Sequence, residues 1–180
     1  MQAFELAILD WIQAHLRCGF LDVVFPVLSK IAGNSEIWIL LAVILVCIKG
    51  QRRYGFSVGC GLLFDLCFIS NLLKPLVGRI RPCAVNTAVE LLVKTPTSGS
   101  FPSGHTTAAF AVVFALKTAG SPLWKPMLAV ACVMAFSRLY LYVHWPTDIL
   151  GGILCGALLG WSAAKVVSLA AACIQKKKET

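Results

Sequence analysis

Charge is what this sequence has least of. Only 13% of its 180 residues are charged and only eight are acidic, against about 25% charged in a water-soluble domain. A surface so poor in charge cannot face water on all sides, which excludes an ordinary soluble domain, and the apolar richness excludes disorder. No carboxylate cluster is available for a metal: Glu90 is the only acid between residues 74 and 105. Cysteine is not scarce, at eight residues, but there is no CxxC pair and no His/Cys cluster at metal-ligand spacing. A disulfide framework and a zinc site are both disfavoured. Cys18, Cys47, Cys60, Cys67, Cys132, Cys155 and Cys173 lie in or beside apolar runs and read as small buried hydrophobes. Cys83 alone falls in a polar loop. A signal peptide is missing too, since Glu5 and Asp10 stand where a basic n-region belongs and no small-residue cleavage site follows. Residues 3–16 read instead as an amphipathic interfacial helix with Phe4, Leu6, Ile8, Leu9, Trp11, Ile12 and Leu16 on its apolar side.

Hydrophobic residues, by contrast, make up 58% of the chain. A helix needs roughly 17–25 apolar residues to cross the hydrocarbon core. Stretches at about 54–77, 103–120, 123–142 and 147–170 meet this; weaker ones at about 19–33 and 35–48 form two tilted spans or an incomplete hairpin. The expected fold is an all-α polytopic bundle of about six spans in one domain over 1–180. Its parts are the interfacial helix (1–17), the transmembrane bundle (19–172) and a basic tail (173–180). Sixteen basic residues leave a net charge of +8, but they sit between apolar runs and not on one solvated face, which argues against nucleic acid. Lys49, Arg52 and Arg53, then Lys117 and Lys125, then Lys176, Lys177 and Lys178 occupy alternate connections or the C-terminal end. The positive-inside rule makes that face cytoplasmic, with both termini and Arg17 on it. The connections at 79–101 and around 144 then face outward, in the cell membrane.

Those outward segments carry three clusters. Lys74 and Arg81-Pro82 stand where the third span ends; Pro102-Ser103-Gly104-His105 opens the fourth. Ser137-Arg138, His144 and Asp148 straddle the fifth and sixth. Any one cation at a span end could simply snorkel to the interface, and a lone His at a helix end is usually structural. Three cations, two histidines and a carboxylate converging from three segments describe an anion site for phosphate. Arginine grips phosphate oxygens with a two-pronged fork, and a helix N-terminus opening on Ser-Gly offers free N–H groups.

The strings K-x6-R-P, P-S-G-H and S-R-x5-H-x3-D resemble the three-part signature of the type 2 phosphatidic acid phosphatase superfamily, matched at every position between residues 74 and 148. The resemblance implies a membrane lipid phosphatase without metal or cofactor, acting through a phosphohistidine. His144 would be the nucleophile, Asp148 would orient and steady its ring, and His105 would protonate the leaving oxygen. Lys74, Arg81, Ser103, Gly104 and Arg138 would hold the phosphate oxygens. Outer-face orientation and the compact chain favour undecaprenyl diphosphate as substrate, with phosphatidylglycerophosphate, phosphatidic acid or transfer to a lipid acceptor as alternatives. The implied partners are a phosphorylated lipid and the bilayer. A different class, a small transporter, is suggested by Asp65 inside the third span. Gly152, Gly156 and Gly160 recur every four residues, a spacing for close packing inside the bundle. The loop 86–100 is placed to act as a flap over the site.

Overall fold

The computed structural model describes residues 2–33 and 35–179, with side chains to residue 177; the side chain of Lys178, and Thr180, lie outside the described residues. Every regular element among them is helical. The helices are α1 (Gln2–Leu16), α2 (Gly19–Ile31), α3 (Glu36–Cys47), α4 (Arg52–Phe64), the short α5 (Lys74–Val77) and α6 (Pro82–Val85), α7 (Gly104–Ala119), α8 (Trp124–Tyr140) and α9 (Pro146–Glu179). A π-helical stretch, Asp65–Leu73, joins α4 to α5. The molecule is an all-α membrane protein. By length and apolarity, Arg52–Val85 and Pro146–Lys177 can each cross a bilayer, while α2 and α3 form a pair bent by 59°.

The bundle is organised around α7. Between Thr106 and Val113 every one of its residues is buried, because small side chains (Thr106, Thr107, Ala108, Ala109, Ala111) let neighbours approach on all sides. Helix α9 approaches most closely. A Cβ added to Gly156 would stand 2.5 Å from the Thr107 carbonyl oxygen, and one added to Gly152 would stand 3.0 Å from that of Ser103. The four-residue glycine spacing therefore serves packing within the bundle, as expected. On the opposite face of α9, Leu150, Leu154, Leu158 and Trp161 are exposed, the stripe a lipid-facing helix presents.

Two features depart from the expected layout. Helix α1 is anchored at the C-terminal end of α8: Gln13 Nε2 donates to the Tyr140 carbonyl (2.7 Å) and Tyr142 Oη donates to Asp10 Oδ1 (2.5 Å). Leu9 and Ile12 are buried beneath it, while Phe4 and Trp11 stay exposed. This places α1 and Arg17 at the end of the bundle opposite Lys176 and Lys177, not on the same side as the C-terminal run. Helix α2 is tied to that same end at both of its own ends. The Cys18 N–H donates to Tyr140 Oη (3.0 Å), and Ser29 reaches Arg138 and His105. It therefore runs obliquely across that end of the bundle, its Asp22 accepting from Tyr140 Oη (2.6 Å). All eight cysteines are free, as the spacing indicated, yet only Cys83 is fully buried. The polar residues flanking it concealed that α1 covers it, with Leu9, Tyr142 and Trp145 as neighbours.

Candidate active site

The three sequence clusters meet at one end of a cavity of about 1430 Å³, where Lys74, Arg81, Gly104, His105, Arg138 and His144 all reach the lining. Each arrives by a different route. Lys74 begins α5, and its Nζ lies over the start of α7, where a Cβ on Gly104 would stand 3.5 Å from it. The missing side chain thus leaves the first free N–H groups of α7 open beside a cation. Arg138, in the last turn of α8, is 2% exposed. Its Nε and Nη2 donate to Ser137 Oγ (3.1 and 2.9 Å) and its Nη1 to Ser29 Oγ (2.8 Å).

His144 follows a tight reversal at the end of α8. Tyr142 takes a left-handed backbone (φ 59°), which costs a non-glycine residue about 1–2 kcal/mol. Its hydroxyl is fixed by Asp10 and by Asn86 Nδ2 (3.2 Å), and that anchoring opposes the strain. The chain then turns His144 inward. Its Nδ1 lies 3.3 Å from Asp148 Oδ2 and its Nε2 3.2 Å from Arg81 Nη1. A carboxylate only accepts and a guanidinium only donates, so these partners select one tautomer: hydrogen on Nδ1, and an unprotonated Nε2 that accepts from Arg81 at the cavity. Burial pushes the His144 ring down to about 4; the Asp148 hydrogen bond opposes this, and the Arg81 and Lys74 charges add to the depression. The ring is neutral at pH 7.

Asp148 is fully buried. Its Oδ2 also accepts from the Trp145 N–H (2.9 Å), and its Oδ1 pairs with Arg79 Nη1 (2.6 Å). Arg81 is held by the 86–100 loop: its Nε donates to the Ser98 carbonyl (2.9 Å), its Nη2 to Ser98 Oγ (3.3 Å) and to the Gly99 carbonyl (3.2 Å). Val93, Lys94, Pro96 and Ser98 of this loop line the cavity, so the segment expected as a flap forms one wall. His105, in the first turn of α7, has Nε2 3.3 Å from the Ser29 carbonyl oxygen.

Ser103 stands one step back. It is fully buried, its N–H donates to the Asp148 carbonyl (3.1 Å) and its Oγ accepts from Thr106 Oγ1 (2.9 Å). The backbone of Gly104, and not Ser103, reaches the cavity lining. Two residues outside the sequence expectation, Ser29 and Glu5, join the site, and Arg79, expected in or near it, takes a supporting place. Ser29 bridges Arg138 and His105, and nothing in its local sequence marks it. Glu5 is 3% exposed and accepts from Arg79 Nη2 (2.8 Å). Arg79 itself is paired with Glu5 and Asp148, so it is no free phosphate ligand. From the site the cavity continues between the helices along Ile39, Val43 and Val46 of α3, Phe56 and Leu63 of α4, and Leu66. That path is apolar, and Ile39, Val43, Phe56, Leu63 and Leu66 along it are exposed.

Comparison with known proteins gives a consistent picture. The PAP2 superfamily profile matches residues 52–171. The decaprenylphosphoryl-5-phosphoribose phosphatase of Mycobacterium tuberculosis is 36% identical over 160 residues, covering 87% of this chain and 86% of that protein. An undecaprenyl-diphosphatase of Sulfolobus acidocaldarius is 28% identical over 139 residues, covering 76% of this chain; the match spans 66% of that longer protein. Among solved structures, a transmembrane PAP2-type phosphatidylglycerolphosphate phosphatase from Bacillus subtilis superposes with a TM-score of 0.66 at 26% identity, covering 94% of this chain and 86% of that one.

Proposed function

The chain belongs to the PAP2 superfamily of membrane phosphatases, and we propose that it removes the terminal phosphate from an isoprenoid lipid phosphate or diphosphate through a phosphohistidine on His144. The observation that carries this reading is the His144 ring, with its Nδ1–H on Asp148 and an unprotonated Nε2 that accepts from Arg81 at a cation-lined cavity. When Arg81 turns its donor from Nε2 to a phosphate oxygen, the freed Nε2 lone pair attacks phosphorus in line while Asp148 steadies the positive charge that forms on the ring. His105 donates a proton to the leaving oxygen and then accepts one from the attacking water. Lys74, Arg81, Arg138 and the N–H groups at Gly104 take the equatorial oxygens, where transition-state charge gathers.

An isoprenoid substrate is supported by the apolar path leading away from the site and by relatives named for decaprenyl and undecaprenyl substrates. Undecaprenyl diphosphate remains the leading candidate, and decaprenylphosphoryl-5-phosphoribose, which the sequence motifs did not suggest, joins it. The basic residues support an outer-face site. Arg52 and Arg53 begin α4, Lys117 ends α7, Lys125 begins α8 and Lys176 and Lys177 lie near the end of α9. Each is at the far end of its helix from the phosphate residues, the distribution expected of a cytoplasmic face.

The test is a panel on the purified enzyme: undecaprenyl diphosphate, decaprenylphosphoryl-5-phosphoribose, phosphatidylglycerophosphate and phosphatidic acid, compared by kcat/KM. One of the two isoprenoids should rank first; if both rank below the glycerolipids, the substrate class is wrong. Acid-labile, base-stable labelling from a phosphorus-labelled substrate, lost in His144→Ala, is the expected signature of the intermediate.

A further inference from the structure

Glu5 lies on the N-terminal helix, about 140 residues before the catalytic segment in sequence, yet it is built into the support of that segment. It shares a helical face with Leu9 and Ile12, four and seven residues on, and all three are buried. Its Oε1 accepts from the Thr147 N–H (3.0 Å) and Thr147 Oγ1 (2.6 Å), and its Oε2 from Arg79 Nη2 (2.8 Å). Arg79 uses its other prong, Nη1, on Asp148 Oδ1 and on Thr147 Oγ1, both at 2.6 Å, and its guanidinium lies 5.3 Å from the centre of the Trp145 ring. Both Asp148 oxygens are thereby fixed, one by Arg79 and one by His144 and the Trp145 N–H.

We propose that Glu5 is a positioning residue for the hydrolysis: through Arg79 and Thr147 it holds the Asp148 carboxylate in register with His144, so that turnover depends on the N-terminal helix. The inference rests on the reading of His144 as nucleophile oriented by Asp148. Its physical basis is a division of charge. Arg79 faces two carboxylates and is shared between them. When Glu5 is neutralised, the guanidinium has only Asp148, the pair tightens and rotates, and Oδ2 is drawn off the His144 ring. Burial also pushes the Glu5 carboxyl up, but the Thr147 hydroxyl and amide and the Arg79 charge outweigh it, leaving the group below its ordinary value and ionised. The other groups facing Asp148 and His144 are Lys74 from α5, Arg81 from the connection to α6, and His105 from α7. They are unchanged by the substitution.

The experiment uses the full-length enzyme in lipid nanodiscs with its best substrate from the panel. Glu5→Gln should lower kcat about 10- to 100-fold, the scale of a misplaced catalytic group, with KM within about twofold. The acid limb of its kcat profile should move to lower pH, because an unshared guanidinium further disfavours an imidazolium on His144. Arg79→Gln should move that limb to higher pH. The double variant should be no less impaired than Glu5→Gln, since it also strips the Asp148 carboxylate of its Arg79 partner, and the two losses should not add because both act on Asp148. Glu5→Asp, which keeps the charge, should recover part of the loss and guards against a variant that merely misfolds. Wild-type kcat in well-folded Glu5→Gln, or an acid limb that moves the same way in both single variants, overturns the proposal. His144→Ala separates the two levels. If that variant still turns over, the site reading itself fails; if it is inactive while Glu5→Gln is normal, only this inference fails.

Discussion

The packing of α9 on α7 can be tested by making the same substitution at two glycines. A Cβ on Gly156 would lie 2.5 Å from the Thr107 carbonyl oxygen, 2.8 Å from Phe110 Cβ and 2.9 Å from the Ala111 nitrogen. Ordinary contact begins at 3.4 Å, so the two helices must part by about 0.9 Å at this level, and two of the three opposing atoms are backbone that cannot swing aside. Overpacking of this kind costs typically 1–3 kcal/mol, and the clash against backbone puts Gly156→Ala near the upper end. The gain from replacing a helical glycine, up to about 1 kcal/mol, leaves a net loss of about 2 kcal/mol. For a chain of this size that is a fall in Tm of about 4–8 °C. A Cβ on Gly59 of α4 meets nothing within 4 Å, so Gly59→Ala should leave Tm unchanged or raise it by 2–4 °C on the same scale. Function should follow packing. Asp148 lies two turns from Gly156 on the same helix, and its carbonyl accepts from the Ser103 N–H at the head of α7. Parting the helices shifts the carboxylate relative to the phosphate cradle, and kcat should fall by about 10- to 100-fold with little change in KM. The assays are thermal unfolding by intrinsic fluorescence and steady-state kinetics on both variants in one detergent. Equal Tm and kcat for the two would refute the close approach, and with it the account of how α9 holds Asp148.

Other outcomes follow from the site. Because His144 is held neutral down to about pH 4, protonation should inactivate only below that value. With the substrate's own ionisation near pH 6 allowed for, kcat/KM should stay level to about pH 5 and then fall; a limb at 6.5 would show a solvated ring. Arg81→Lys keeps the charge but loses the fork that binds Ser98, Gly99 and Val143 together, so kcat/KM should drop about 10²- to 10³-fold and limited proteolysis should find the 86–100 loop loosened. Asp65 is buried in the π-helical stretch with Oδ1 lacking a partner, an arrangement that costs about 1–3 kcal/mol. Asp65→Asn should raise Tm while keeping kcat within threefold, and a tenfold loss would place this residue in the chemistry.

Most of the helices were legible because each is bounded by residues with strong local preferences. The stretch expected at 103–120 is Gly104–Ala119, ending at Gly120 with its positive φ of 86°, and that expected at 123–142 is Trp124–Tyr140. The residues proposed to bind phosphate were legible for a different reason: cations and histidines are expensive next to lipid, so their recurrence at span ends stood out. Glu5 went unread as part of the site because an amphipathic helix carries the same apolar stripe whether its partner is lipid or protein. The available signal was an acid at position 5 in line with Leu9 and Ile12, since a carboxylate on an apolar face needs a buried partner. Ser29 gave no signal at all; an isolated serine in an apolar run acquires its role only when α2 is laid across the bundle end. The π-helical stretch Asp65–Leu73 was equally silent, because its i→i+5 bonding has no pattern of residue types.

These residues alter the meaning of the charge at the site. Counting the three cations of the sequence clusters alone, Lys74, Arg81 and Arg138, gives +3 with Asp148 reserved for His144. The structure adds Glu5 and ties Arg79 to it, and because Arg79 bridges Glu5 and Asp148 the group must be counted together. Four cations and two carboxylates leave +2, before the proton that His105 carries as general acid is counted. A terminal phosphate carries about −1.5 to −2 at neutral pH, enough to offset most of this charge, and a diphosphate brings a further negative charge on its inner phosphate. Glu5 thus has an electrostatic function as well as a positional one. Without it the buried cluster would carry +3 and would hold the phosphate released from His144 more tightly. On this count, loss of Glu5 slows product release as well as attack, and inorganic phosphate should inhibit Glu5→Gln at a lower concentration than it inhibits the native enzyme. Equal inhibition constants would mean that the Arg79 charge is screened from the phosphate, leaving geometry as the only route by which Glu5 acts.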